Sequence, residues 1–299
     1  MKQTAVLGLG CAATLLVGGC GSEVPQGAPG PLEVVVGFYP LQYLAETIGG
    51  DNVTVSSLAQ PGAEPHDLEL SPQQVEEVVT ADVVLFLGSF QPAVDNAVEQ
   101  GAADSAFDVL GATETIDGYE ELGEQGEDPS LDPHVWLDPT RFAAIATAVG
   151  ERFAELDPAN ADGYTANAET LLAQLEDLDE RFSEGLADCA RTDIVVTHNA
   201  FGYLADRYGL TQVGIAGLSP EEEPSPQKLD DVRQFAEENG LTTIFYEEAV
   251  SPEYAQTVAD LIGASTAVLS PLEVVDDGED YVSVMEQNLT TLEAALGCG

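Results

Sequence analysis

The sequence predicts an α/β protein of two βα lobes with parallel sheets, joined by one long rigid helix. Short β-branched runs alternate with segments of helical period at both ends of the chain. Between them, residues 158–188 read as a single amphipathic helix. A length of 299 residues also suits two domains.

The first lobe is expected over residues 33–157. There "EVVVGF" precedes "PLQYLAETIGG", "VTVSSL" follows, and "SPQQVEEVVTA" leads into "VVLFLG". A helical "QPAVDNAVEQ" and a short "AFDVL" complete the alternation. Valine-rich and leucine-rich strands, each followed by a helix, imply βαβ units on a parallel sheet. An irregular acidic stretch over 111–137 comes next.

In the linking helix, Tyr164, Leu171, Leu175, Leu178, Phe182 and Leu186 recur at intervals of three, four and seven, with Pro158 in the first turn. At 1.5 Å per residue such a helix spans roughly 45 Å, about the width of a domain. The second lobe, 189–299, restarts the alternation with "DIVVTH", "FGYLADRYG", "TQVGIAGL" and "SPQKLDDVRQFAEENG". "TTIFYEE", "SPEYAQTVADLIG", "STAVLSP" and "DYVSVMEQNLTTLEAAL" follow, making four βα pairs in all.

Residues 1–19 carry one early lysine, a short apolar run and then small residues. The run is too short to span a bilayer and reads as an export signal. Val17-Gly18-Gly19-Cys20 resembles a bacterial lipobox, which makes Cys20 the expected lipidated residue. Residues 20–32 then form a Gly/Pro-rich tether. An extracytoplasmic protein held to the membrane by its lipid, and monomeric, is expected. With Cys11 in the leader and Cys20 as anchor, Cys189 and Cys298 remain as a pair in an oxidising compartment. They are expected to form a disulfide.

The charge is extreme: 8 basic against 54 acidic residues, a net −46. It excludes a nucleic-acid partner, because phosphate contacts need a basic surface. It fits a solubility device in a medium salty enough to screen the self-repulsion, or a bias of the lineage.

The chain spends only three histidines. His66 lies in the loop "PGAEPHDLELSPQQV", His134 in "DPHVWLDP" beside the only tryptophan, and His198 at the end of "DIVVTH". In open α/β sheets ligands bind beyond the carboxyl ends of strands, where His66 and His198 fall. Three imidazoles in such places suit a site that needs neutral nitrogen donors. A carboxylate is expected to complete it, with Glu64, Asp67, Glu223, Glu247 and Glu273 all near strand ends. Asp138 is the expected N-cap of the helix after His134, and Asp132 and Trp136 its orienting carboxylate and packing wall.

Six segments in order carry a family resemblance: "GFYPLQYLAETIGGDNVTV", "PGAEPHDLELSPQQV", "DPHVWLDP", "VVTHNAFGYLADRYGL", "EEEPSPQKL" and "LSPLE". They cover nearly all of the chain after its leader. The chain resembles the zinc/manganese solute-binding lipoproteins of bacterial ABC importers. The resemblance implies two lobes bridged by one helix, with the metal in the cleft between them. It implies His66 and His134 as ligands from the first lobe and His198 from the second. Where manganese-selective relatives carry glutamate, this chain has His198, which moves the preference from Mn²⁺ toward Zn²⁺. The "SPLE" turn implies Glu273 as fourth ligand, with Glu248 or water as alternatives. The implied partner is a membrane permease and the implied role is capture and delivery, not catalysis. The acidic stretch "GYEELGEQGEDPSLDPH" lacks the histidine-rich loop of many zinc relatives. Three alternatives are a manganese-delivering homologue, a surface adhesin, and a zinc hydrolase built on His66-x-x-Glu69. The last lacks the His-Glu-x-x-His signature.

Overall fold

The computed structural model describes residues 30–117, 131–220, 223–247, 251–276 and 278–299. Cys20, with the expected leader and most of the tether, lies outside these residues, as do Glu248 and positions 118–130 of the acidic stretch. Among the described residues no helix is long and apolar enough to cross a membrane.

The first half alternates β1 (Leu32–Val36), α1 (Tyr39–Gly49), β2 (Val53–Ser57), α2 (Pro72–Thr80), β3 (Val83–Phe86), α3 (Pro92–Gly101) and β4 (Ala106–Asp108). All pairings are parallel, in the order β2-β1-β3-β4. The Val-Val-Leu-Phe run of β3 is buried at every position, as a central strand covered on both faces requires. In β1 the alternation works residue by residue. Val34 and Val36 face the main core, while Val35 joins a separate cluster with Val84, Val78 and Val94. Ser71 and Gln74 form a reciprocal capping box that starts α2.

A helical hairpin follows, α4 (Pro139–Leu156) and α5 (Ala161–Gly185). The long helix is therefore 25 residues, shorter than the expected 158–188. Its start is delayed because Asp157 and Asn160 close a turn, Asn160 N–H donating to the Asp157 carbonyl at 3.1 Å. The Asp157 carboxylate also accepts from Asn160 Nδ2 at 2.6 Å and the Tyr164 hydroxyl at 3.0 Å. Pro158 thus sits in the connecting turn. The buried stripe is the expected one, with Ala168 added, an alanine too small to register in a hydrophobic pattern. Opposite it, Gly150 of α4 allows close approach, since a Cβ there would lie 3.1 Å from that of Ala168.

The second half contributes β5 (Asp193–Val196), α6 (Gly202–Tyr208), β6 (Thr211–Gly214), α7 (Pro226–Glu238), β7 (Thr243–Tyr246), α8 (Glu253–Ile262), β8 (Ser265–Val268) and α9 (Tyr281–Leu296). β5 pairs with β6 and β7 with β8, both parallel, and β5 lies alongside β7. One hydrophobic core runs through both halves. It links Leu44 and Ile48 of α1 with Phe142 and Val149 of α4, Leu171 and Leu175 of α5, Val196 of β5 and Leu289 of α9.

Cys189, just past α5, is joined by a disulfide to Cys298, just past α9. The bridge spans 109 residues of sequence, and a loop that long restricts the unfolded chain strongly. Cys298→Ser is expected to lower stability by about 2–5 kcal/mol, read as a lower midpoint in denaturant unfolding under non-reducing conditions.

Candidate metal centre

The three histidines and one glutamate are presented by loops at the ends of strands. His66 follows β2, and its loop is clamped by Gln91, which is buried and donates to the carbonyls of Pro65 at 3.1 Å and Gly37 at 3.3 Å. That clamp requires glycine at position 37, where a Cβ would fall 2.3 Å from Gln91 Oε1. The His66 ring packs edge-on against Phe90, with centroids 4.6 Å apart.

His134 caps a short 3₁₀ turn, Val135–Leu137, whose end is Asp138, the cap of α4. Asp138 accepts from the N–H groups of Thr140 and Arg141, and Pro139 occupies the first helical turn, as expected. Asp132 Oδ1 takes both the His134 backbone N–H at 2.9 Å and ring Nδ1 at 2.8 Å. Trp136 packs at a tilt beside His134, with ring centroids 5.2 Å apart, and donates its indole N–H to the Pro271 carbonyl at 2.6 Å. The expected orienting carboxylate and packing wall are both in place.

His198 follows β5. Its Nδ1 meets Glu247 Oε1 at 2.7 Å, and Thr197 donates to the same oxygen at 2.7 Å. Glu273 follows β8 in the turn Ser270-Pro271-Leu272-Glu273. Leu272 adopts φ of 59°, uncommon for a branched side chain. Its surroundings hold it there. Leu272 is fully buried and donates its N–H to Ser270 Oγ at 3.2 Å. Buried Asn288 accepts from Ser270 N–H at 2.9 Å and donates to the Ser270 carbonyl at 2.7 Å. The strain is thereby spent on aiming one carboxylate.

The four donors converge. One ligand atom from each of His66, His134, His198 and Glu273 lies within 4.8 Å of all the others. Glu273 Oε1 is 3.2 Å from His66 Nε2, 3.3 Å from His134 Nε2 and 3.7 Å from His198 Nε2. The Nε2 atoms of His134 and His198 are 3.4 Å apart. Donors about 2.0–2.1 Å from a tetrahedral zinc ion are roughly 3.3 Å from one another. The four donor pairs with these separations, 3.2–3.7 Å, are close to that tetrahedral spacing. With Nδ1 of His134 and of His198 each turned to a carboxylate, the neutral tautomer places both Nε2 lone pairs inward, as a cation requires.

The surrounding charge is negative and buried. Asp132, Glu247 and Glu273 are each at most 3 % exposed. Burial pushes the Glu273 carboxyl up, but hydrogen bonds from His134, His198 and His66 outweigh it and hold it well below the ordinary range. Burial pulls His198 down, yet the charge and hydrogen bond of Glu247, then those of Glu273, push it up to about 10. His134 is likewise lowered by burial and raised overall by Asp132 and Glu273. At His66 burial outweighs the hydrogen bond and charge of Glu273 and lowers it.

Of the five carboxylates near strand ends, Glu273 joins the cluster and Glu247 stands behind His198. Glu64 sits beside His66, whereas Asp67 and Glu223 are exposed. Gln91 and Phe90 escaped the sequence reading, since a buried amide and a wall aromatic carry no spacing signature. Asn288, which reads in the sequence only as part of a chance Asn-x-Thr triplet, anchors the Glu273 turn.

Comparison with known proteins gives one consistent result. Residues 34–295 match the family described as "Zinc-uptake complex component A periplasmic". The chain is 32% identical over 303 aligned residues to the high-affinity zinc uptake system protein ZnuA of Bacillus subtilis, covering 95% of each chain. It is 32% identical over 307 residues to the zinc-binding lipoprotein AdcA of Streptococcus pneumoniae, covering 98% of this chain but 61% of that protein. The solved Zn(II)-bound ZnuA-like domain of Streptococcus pneumoniae AdcA superposes with a TM-score of 0.76 at 30% identity, over 89% of this chain and 99% of that one. A laminin-binding adhesin (Lmb) from Streptococcus agalactiae gives 0.80 at 29% identity, over 89% and 99%.

Two outcomes are expected. Asp132→Asn, which weakens the orientation of His134, should lower zinc affinity about 10–100-fold in competition with a chelating dye. His198 titrates above neutrality in the metal-free protein, so at pH 7 it carries a proton that coordination must expel. Zinc uptake at pH 7 should therefore release protons, and affinity should climb as pH rises and drop as it falls. Calorimetric titration in buffers of different ionisation enthalpy measures this; equal heats would contradict it.

Proposed function

Because the chain belongs to the family of periplasmic zinc-uptake component A proteins, we propose that it captures one Zn²⁺ through His66, His134, His198 and Glu273 and hands it to an ABC-type permease. The observation that carries the reading is the convergence of three imidazole nitrogens and one carboxylate oxygen, all within 4.8 Å of one another. Three nitrogen donors favour Zn²⁺ over Mn²⁺, which prefers oxygen.

Four protein ligands leave no position for a substrate, which supports binding over hydrolysis. Glu69, the partner required by a His66-x-x-Glu69 hydrolase, is exposed and outside the cluster. The place of action is outside the cytoplasmic membrane, with Cys20 as the lipidated anchor; its lipobox-like context and the lipoprotein name of the streptococcal relative support this. An adhesive role has behind it only the names of similar structures and leaves the buried cluster without a use.

Delivery requires the site to open, and the shared core restricts how. A wide hinge motion would expose the apolar side chains that α4, α5 and α9 bury between the halves. Small displacements of the ligand-bearing loops, or a slight rocking of one half, fit the packing better. Metal analysis of the purified mature protein under equimolar Zn²⁺ and Mn²⁺ should return zinc, and His134→Ala should cost at least about 100-fold in affinity. A clear manganese preference, or unchanged zinc binding by the variant, would overturn the reading.

A further inference from the structure

Glu64 stands just outside the group of four. Its carboxylate accepts from the His66 N–H through both oxygens at 3.0 Å, and from the Asp67 N–H through Oε2 at 3.4 Å. A carboxylate offers about four lone-pair sites, so these bonds leave Oε1 capacity for one more partner. Oε1 lies 3.9 Å from His66 Nε2. Two donors each about 2.0–2.2 Å from one zinc ion can be at most roughly 4.2 Å apart, so a single ion can touch both.

Exposure adds a direction. The side chains of His134, His198 and Glu273 are at most 1 % exposed, whereas His66 is 9 % and Glu64 14 % exposed. Of the four donors His66 is the most exposed, and Glu64 beside it is more exposed still. An incoming hydrated Zn²⁺ must shed water, and a partly exposed carboxylate beside the outermost ligand can replace some of that water before the inner donors are reached.

We propose that Glu64 and His66 form a transit site, in which Zn²⁺ is held by Glu64 Oε1 and His66 Nε2 on its way into and out of the four-ligand centre. This rests on the zinc-capture reading above. A transit ligand stabilises the same barrier in both directions. Its removal slows association and release together and leaves their ratio, the dissociation constant, close to that of the wild type.

The test is Glu64→Gln in the full mature protein, which keeps an oxygen to accept the His66 and Asp67 N–H groups but removes the charge. Stopped-flow mixing with Zn²⁺ reads association, and chelator-driven release reads dissociation. Both are expected to fall about tenfold, in the range by which local charge changes capture rates. Glu69→Gln removes an equal charge from an exposed neighbour and should leave both rates unchanged. Equal slowing in the two variants would overturn the proposal by showing a net-charge effect. So would a weakened dissociation constant with unchanged association, because Glu64 would then only hold the His66 loop. Wild-type protein that binds no zinc would instead overturn the capture reading itself, a distinct result from zinc binding with unaltered kinetics in Glu64→Gln.

Discussion

Three carboxylates, Asp132, Glu247 and Glu273, are removed from water around the three histidines, and the rest of the site depends on how they are compensated. Isolated buried carboxylates are costly, and they persist when paired and hydrogen-bonded. Here each has an imidazole partner: Asp132 holds His134, Glu247 holds His198, and Glu273 faces all three histidines. Without metal the pocket draws protons onto His198 and His134. With metal, the divalent ion replaces them. The same anionic shell thus stabilises the loaded centre and keeps the empty one from holding uncompensated charge.

Much of the remaining structure serves to hold those side chains at fixed spacing. The Gln91 clamp shapes the His66 loop, the 3₁₀ turn and Asp138 cap shape the His134 loop, and Asn288 shapes the Glu273 turn. Trp136 connects two of these elements directly, packing on His134 while bonding to Pro271. Tyr203 of α6 connects the halves again, donating its hydroxyl to the Asp132 carbonyl at 2.9 Å. A centre tied from both halves responds to small shifts of either. The continuous core and the Cys189–Cys298 bridge set the upper limit on such motion.

The alternation of strands and helices is legible from the residues alone. Valine-rich runs have one low-energy use in a covered parallel sheet, and the apolar stripe of α5 repeats with the helical period. The sequence also singled out the histidines, because a chain with three of them places each where chemistry repays it. The helix limits at Ala161 and Gly185 were not legible, since a turn closed by Asp157 and Asn160 competes with the helix on equal local terms. Among more than fifty acidic residues, Glu273 stood out only through family resemblance. Tertiary structure alone decided that Glu273 faces the three imidazoles while Glu247 stands behind one of them and Glu64 beside another. Carboxylates are chemically alike along the chain, and what separates their roles is distance, which exists only once loops far apart in sequence are brought to the ends of neighbouring strands.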